Sequence, residues 1–229
     1  MALMNPLLPA VEAVLFDLDG TLVETNIDFP AMKRKMIELA VEQGMQPGDL
    51  ERLDILAIVQ SACRFLILSG RHAEAEALHA RAMSILEEIE LAHASATQEI
   101  PFARSLTSEL AGRGIPFGVV TRNCRRASEI SLAIVGITPD VLISRDDGLR
   151  HKPHPAPLQE ALSALGARPQ ASIMVGDHLM DIQSGKAAGM KTIGFLREYR
   201  EPDFFDAAQP DLVVRSLQEV FHAIVGPDR

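Results

Sequence analysis

The segment VLFDLDGTLVETN (residues 14–26) carries Val14, Leu15 and Phe16 straight into Asp17 and Asp19, two like charges one residue apart. Carboxylates leaving the end of a buried strand repel each other unless a cation or a shared proton lies between them. Other apolar runs end in the same way. FGVV is followed by Thr121, Arg122 and Asn123, and SIMV by Gly176 and Asp177, with Asp181 one helical turn further on. Lys152 lies in RHKPHP. Together these residue types suit a phosphoryl group and Mg²⁺, a hard cation held by a few carboxylates, waters and substrate phosphate. Asp17 and Asp177 offer side-chain oxygens, and Asp19 either its backbone carbonyl or its side chain. Asp17 can attack as a carboxylate nucleophile and form an aspartyl-phosphate. Asp19 can protonate the leaving oxygen and later take a proton from water. Thr121, the N–H groups that follow it, and Lys152 can hold the phosphoryl oxygens as charge spreads over them.

These groups are useful only if the fold gathers them. After residue 100 the chain alternates short apolar runs with helical patterns. IPFGVVT (115–121), DVLIS (140–144), ASIMVGD (171–177), KTIGF (191–195) and DLVV (211–214) read as strands. RRASEISLAIVG, PAPLQEALSALG, LMDIQSGKAAG and SLQEVFHAIVG read as helices closed by Gly, and PFARSLTSELAGRG as a helix before the strand at 115. This repetition predicts an α/β fold with a doubly wound, Rossmann-like parallel sheet. Ligands of such sheets bind beyond the carboxyl ends of the strands, where strand order reverses. Residues 24–100 differ: FPAMKRKMIELAVEQG, GDLERLDILAIVQSACRFLIL and RHAEAEALHARAMSILEEIELAHASA carry helical periodicity and almost no strand signal. The expected division is a core of 1–23 and 101–229 and an inserted all-helical cap domain of 24–100, with junctions near Glu24 and Ile100. Such a cap can exclude water and set selectivity.

With 229 residues, 47% of them hydrophobic and 23% charged, the chain can bury a sizeable core. Its net charge of −9 argues against nucleic acid or an anionic membrane as a partner. A small anionic substrate remains compatible, because a bound cation reverses the local sign. The apolar stretch LDILAIVQSACRFLIL is interrupted by Asp54, Gln60 and Arg64 and reads as a core helix rather than a span. Cys63 and Cys124 form neither a metal-spaced cluster nor a disulfide framework. That cysteine usage fits a reduced, cytoplasmic setting, and MALMNPLLPAVEA lacks the positive region of a signal peptide.

DLDGT, VVTRN, HKPHP and VGDHLMD resemble, in order, the four signature segments of the haloacid dehalogenase superfamily. The insertion after the first segment resembles its C1 cap, as in the phosphoglycolate phosphatase and phosphoglucomutase branch. The resemblance covers the core well and the cap only in position and helical character. It implies Asp17 as nucleophile, Asp19 as general acid/base, and Thr121 and Lys152 as phosphate-binding residues. It further implies Asp177 as a metal ligand and Asp181 as the acid that steadies the metal or its waters. Dehalogenases proper lack the second aspartate of the opening pair and need no Mg²⁺, so Asp19 and Asp177 favour phosphoryl chemistry. Arg122 stands where the family often has asparagine, and His178 where it often has serine, threonine or asparagine. IPFARS replaces a PGV-like turn.

The expectation is therefore a Mg²⁺-dependent phosphatase of a small phosphorylated metabolite, monomeric or homodimeric, with Asp17, Asp19 and Asp177 at the metal and Arg122 and Asn123 joining Thr121 and Lys152 on the substrate. A sugar-phosphate phosphomutase shares this core chemistry, and a catalytically idle phospho-ligand-binding protein is the reading from another class. No nucleophile or metal ligand is missing, which disfavours the idle reading. Other conspicuous residues read as structural: His151 and His154 as polar loop residues, His72 and His79 as a solvated helical face, the KRK run 33–35 likewise, and Cys124 as a helix-start packing residue. Lys186 reads as exposed. Arg125 and Arg126 open a helix whose first turn prefers acids, a mismatch that a nearby anion would relieve.

Overall fold

The computed structural model describes residues 7, 8 and 10–226; expectations for residues 1–6, 9 and 227–229 lie outside that range. Its strands are β1 (Ala13–Phe16), β2 (Val23–Glu24), β3 (Gln98–Glu99), β4 (Phe117–Val120), β5 (Val141–Ile143), β6 (Ser172–Gly176), β7 (Lys191–Phe195) and β8 (Leu212–Val214). Its helices are α1 (Phe29–Glu42), α2 (Pro47–Leu50), α3 (Ile55–Leu68), α4 (His72–Ala94), α5 (Ala103–Gly112), α6 (Arg125–Val135), α7 (Ala156–Leu165), α8 (Leu179–Ala188) and α9 (Leu217–Val225).

β1 is apolar throughout because both of its faces are covered. Alternate side chains point to opposite faces. Val14 and Phe16 pack with Leu106 and Leu110 of α5 and Val220 and Ile224 of α9. Ala13 and Leu15 pack with Leu158, Ala161 and Leu162 of α7. Burying a side chain such as Leu15 or Phe16 contributes roughly 1.5–3 kcal/mol each.

Six strands form one parallel sheet in the order β5-β4-β1-β6-β7-β8. The chain builds outward from β1 to β4 and β5, then returns to lay β6 on the other side of β1. Strand order therefore reverses between β1 and β6, the place where such sheets bind ligands. Phe16 pairs with Val119 and with Val175, so Asp17 stands level with Val120 and Gly176 at the carboxyl edge.

The chain divides into residues 1–25 with 94–229, and residues 26–93. The expected junctions near Glu24 and Ile100 thus shift slightly, and the reason is β2 and β3. Val23 pairs with Glu99 and Glu24 with Gln98 in an antiparallel ladder, which keeps both segments with the sheet unit. Two-residue strands are too short to leave an alternation in the sequence. The helical unit has its own core of Met32, Met36, Leu50, Ile58, Leu66 and Leu86, among others. The stretch 48–68, read as one helical run, splits in two. Asp54 accepts hydrogen bonds from the N–H groups of Leu56 and Ala57 at 3.1 and 3.2 Å, which starts α3 afresh. His72 and His79 are exposed on α4.

Helix starts around the sheet explain several odd residues. Cys124 is buried and its Sγ accepts from Ala127 N–H at 3.4 Å, a capping role at the start of α6. Asp146 Oδ2 accepts from the backbone N–H of Arg125 at 2.8 Å, and Asp147 pairs with its guanidinium at 2.6 Å. These acids supply the negative charge that two arginines deny the first turn of α6. In IPFARS, Glu99 Oε1 accepts from Arg104 N–H at 2.9 Å and caps α5 from outside the helix.

Candidate active site

The loop after β1 turns sharply at Gly20, whose φ is +86°. A Cβ there would stand 2.3 Å from Asp177 Oδ2, so only glycine lets the Asp19–Gly20 backbone lie against that carboxylate. Gly176 is constrained in the same way, since a Cβ would meet the Asp181 carboxylate at 2.3 Å. Two glycines thus bring three acids together. One oxygen each from Asp17, Asp177 and Asp181 lies within 4.8 Å of the others.

Lys152 reaches this cluster from the loop before α7. Its Nζ lies 2.6 Å from Asp17 Oδ1 and 2.7 Å from Asp181 Oδ1, and all three side chains are at least largely buried. Burial alone would lower the lysine's pKa, but the Asp17 and Asp181 carboxylates outweigh it and hold the ammonium charged. Burial pushes Asp17 up to about 6, with Lys152 pulling down and Asp181 pushing up. Asp177 is pushed to about 8, first by burial and then by the charges of Asp17 and Asp181, against Arg197 and Arg200. One lysine does not neutralise three buried carboxylates.

Asp19 stands apart from that triad. Its Oδ1 accepts from Thr25 Oγ1 at 2.7 Å and its Oδ2 from Asn123 Nδ2 at 3.2 Å. Burial, then the neighbouring Asp17 charge, raises its pKa to about 6, while these two hydrogen bonds pull the other way. Its side chain is thus held by two hydrogen bonds, apart from the converging carboxylates. Asp181 is the reverse case: expected to steady the metal from behind, it lies within the carboxylate triad itself.

Thr121 is buried at the end of β4, and its Oγ1 accepts from Asn123 N–H at 3.1 Å. Asn123 Oδ1 is buried with no hydrogen-bond partner. Arg122 directs Nη1 at Met180 Sδ on α8. Arg145, buried after β5, donates through Nη1 to the Arg122 carbonyl at 3.2 Å and steadies this loop. His178 explains its own departure from the usual small polar residue. Its Nδ1 accepts from Met180 N–H at 3.3 Å, and Asp181 Oδ2 accepts from His178 N–H at 3.0 Å, a reciprocal cap on α8. Burial first, then the charge of Arg200, lowers its pKa to about 4, so the ring is neutral and can accept. His154 is an exposed loop residue, and Lys186 is exposed on α8.

Thr25 and Arg197 escape a motif-based reading. Thr25 carries no local pattern. Arg197 follows β7 by two residues, so a reading of every strand end would have reached it. Its Nη1 donates to the Gly20 carbonyl at 2.7 Å and its Nη2 to Glu24 Oε2 at 2.6 Å.

The donor set fits Mg²⁺: hard carboxylate oxygens converge, Lys152 compensates their mutual repulsion only in part, and a glycine cradle keeps the approach open. In the metal-free protein Asp177 holds a proton up to about pH 8 that the unfolded chain releases near 3.8. The folded state then binds more protons across that window, so stability falls as pH rises from about 4 to about 8. Asp177→Asn is expected to flatten this slope and raise the metal-free Tm at pH 7.5 by roughly 3–6 °C, as 1–2 kcal/mol does in a chain of this length. The same substitution should raise the half-saturating Mg²⁺ concentration at least about tenfold. Thermal melts across pH and activity against Mg²⁺ check the two halves; unchanged values in both would remove Asp177 from the metal.

A family model described as haloacid dehalogenase-like hydrolase matches residues 14–195. Pyrophosphatase PpaX of Bacillus pumilus (strain SAFR-032) is 30% identical over 220 residues, which cover 95% of this chain and 98% of the relative. The protein of the same name from Bacillus velezensis is also 30% identical, over 221 residues covering 93% and 95%. Among solved structures, a HAD phosphatase from Thermococcus onnurineus superposes with a TM-score of 0.62 at 23% identity, covering 94% of this chain and 99% of that one. A predicted phosphoglycolate phosphatase from Haemophilus somnus 129pt gives 0.60 at 18% identity, covering 92% and 96%. At these identities the structural likeness speaks for the fold. Among the described residues, no helix is long and apolar enough to cross a membrane.

Proposed function

Because this chain belongs to the haloacid dehalogenase-like hydrolase family, we propose that it is a Mg²⁺-dependent phosphatase of small phosphorylated metabolites that works through a phosphoaspartate on Asp17. The observation that carries this reading is one lysine shared by Asp17 and Asp181 inside a triad of carboxylates, with a separately held Asp19 beside it.

An Asp17 carboxylate oxygen attacks phosphorus, and the bond from phosphorus to the leaving oxygen breaks. Asp19 gives its proton to that oxygen. A pKa near 6 leaves a protonated fraction available close to neutrality. The Thr25 hydroxyl and Asn123 amide hold the Asp19 carboxyl in place, so its free rotation does not spread the proton over many directions. Water then attacks phosphorus and yields a proton to Asp19, the Asp17–phosphorus bond breaks, and phosphate leaves with both acids restored. Lys152 and the backbone N–H groups after Thr121 hold the phosphoryl oxygens. Mg²⁺, held by Asp17, Asp177 and the Asp19 carbonyl with Asp181 beside them, would supply the positive charge that Lys152 alone does not. The two free thiols, Cys63 and Cys124, suit a reducing, cytoplasmic setting.

The test is phosphate release from 4-nitrophenyl phosphate with and without Mg²⁺, with mass spectrometry of the Asp17 peptide for added phosphate. The PpaX relatives, named as pyrophosphatases, add inorganic pyrophosphate to the substrate panel. Release that does not depend on Mg²⁺, or phosphate carried by another residue, would overturn the mechanism.

We assign discrimination among the organic parts of substrates to the helical unit 26–93. β2 and β3 already hold Glu24 beside Gln98, so a short linker can join Thr25 to Ala94. Such a shortened chain, once shown to be folded, is expected to hydrolyse 4-nitrophenyl phosphate while ranking sugar phosphates almost equally. If it keeps the full-length ranking, selectivity for the substrate body lies in the core.

A further inference from the structure

Two arginines stand on the segment after β7, and they are used differently. Arg197 is spent twice, on the Gly20 carbonyl and on Glu24. The Arg200 backbone N–H donates to the Arg197 carbonyl at 3.0 Å, but its side chain makes no hydrogen bond or ion pair among the described residues, and its Nε is buried without a partner. What holds it is aromatic. Its guanidinium lies 4.4 Å from the Phe204 ring centroid and 5.2 Å from that of Tyr199. Ring faces fix a cation in position without neutralising it or using its donors. Phe204 in turn meets the His178 ring edge-on at 6.0 Å, and His178 directly follows Asp177. The fixed guanidinium is therefore tied through Phe204 to the residue beside the carboxylate triad.

A buried donor left unpaired calls for a partner. A rigid, unpaired fork of N–H groups at the edge of a phosphoryl site matches an anionic oxygen cluster. The geometry points to Arg200 as a specificity-determining residue that receives a second anionic group, phosphate or carboxylate, carried by the leaving group of the substrate. This rests on the hydrolytic reading of the site and adds to it: substrates with a charged leaving group are preferred over those with a neutral one, and the core loop reads that charge. Tyr199, 65% exposed, leaves the aromatic clamp open on one side for the ligand.

The experiment compares kcat/KM for inorganic pyrophosphate, phosphoglycolate and 4-nitrophenyl phosphate in the wild type, Arg200→Met and Arg200→Lys. Met keeps an apolar chain between the rings and removes the charge. The ratio of pyrophosphate to aryl phosphate is expected to fall about tenfold to a hundredfold in Arg200→Met, the loss typical of a charge-assisted hydrogen bond. Lys should restore part of it, because it keeps the charge without the fork. A drop for pyrophosphate but not phosphoglycolate identifies the group as phosphate; the reverse identifies a carboxylate. An equal fall for all three substrates, or ratios to the aryl phosphate that are unchanged for both pyrophosphate and phosphoglycolate, overturns the assignment. A parallel calorimetric titration of pyrophosphate into Asp17→Asn, with and without Arg200→Met, reads binding alone. If the wild type hydrolyses nothing, the hydrolytic reading fails, and this titration still decides whether Arg200 binds the anion.

Discussion

Asp17→Asn is expected to lower kcat by about 10⁴-fold or more, the scale seen when a nucleophile is removed. An amide cannot attack phosphorus and release it again, and Asp17 is one of the two triad acids that bond Lys152. The fold should survive. Asn keeps the shape of the side chain, and it removes one of three mutually repelling carboxylates. In the metal-free protein the change should leave Tm equal or higher at pH 7.5. Turnover near the wild-type rate in a verified preparation would end the covalent mechanism, whatever the metal does.

Lys152→Met should damage both catalysis and stability, and the two losses separate by pH. Lys152 is 4% exposed and its ammonium contacts two carboxylates. Removing one partner of a buried ion pair destabilises by about 3–5 kcal/mol, because the remaining charges stay desolvated. That cost should shrink as the carboxylates take up protons. Asp17 is already raised to about 6 and Asp177 to about 8 with the lysine present. The metal-free variant should therefore melt well below the wild type at pH 8 and approach it near pH 5. Its kcat should fall by about 10²–10³-fold at every pH, since a charge aimed at the phosphoryl oxygens is gone. A pH-independent Tm deficit would mean that Lys152 acts through packing rather than by neutralising the triad.

Much of the architecture is legible in the chain. The run at 14–16 falls within β1, and each of the runs at 115–121, 140–144, 171–177, 191–195 and 211–214 contains a strand of the sheet, because apolar runs bounded by turn residues carry their own signal. The order reversal between β1 and β6 is a feature of the folded sheet, since connection rules fix the hand of each crossover but not the side of β1 on which β6 is laid. What the runs do not show is how far each strand extends, or that β2 and β3 pair at all.

The residue types that gather at the carboxyl edge were likewise present as local patterns: acids after β1 and β6, a threonine after β4, a lysine in a proline-flanked loop. Their partnerships were not. Asp181 lies in the first turn of α8 and Lys186 in its last, and the sequence alone allows either to be a surface residue. The fold buries the acid against Lys152 and leaves Lys186 exposed. The Asp19 side chain goes to Thr25 and Asn123, a choice no spacing announces. Arg197 and Arg200 are equally charged neighbours, yet one is spent on Gly20 and Glu24 and the other is left unpaired between rings. The reason is one of range. Strand and helix patterns are written by residues a few positions apart, whereas Lys152 meets Asp17 across 135 positions and Arg197 meets Gly20 across 177. Only the closed sheet, which sets those distant loops side by side at one edge, decides which charge meets which.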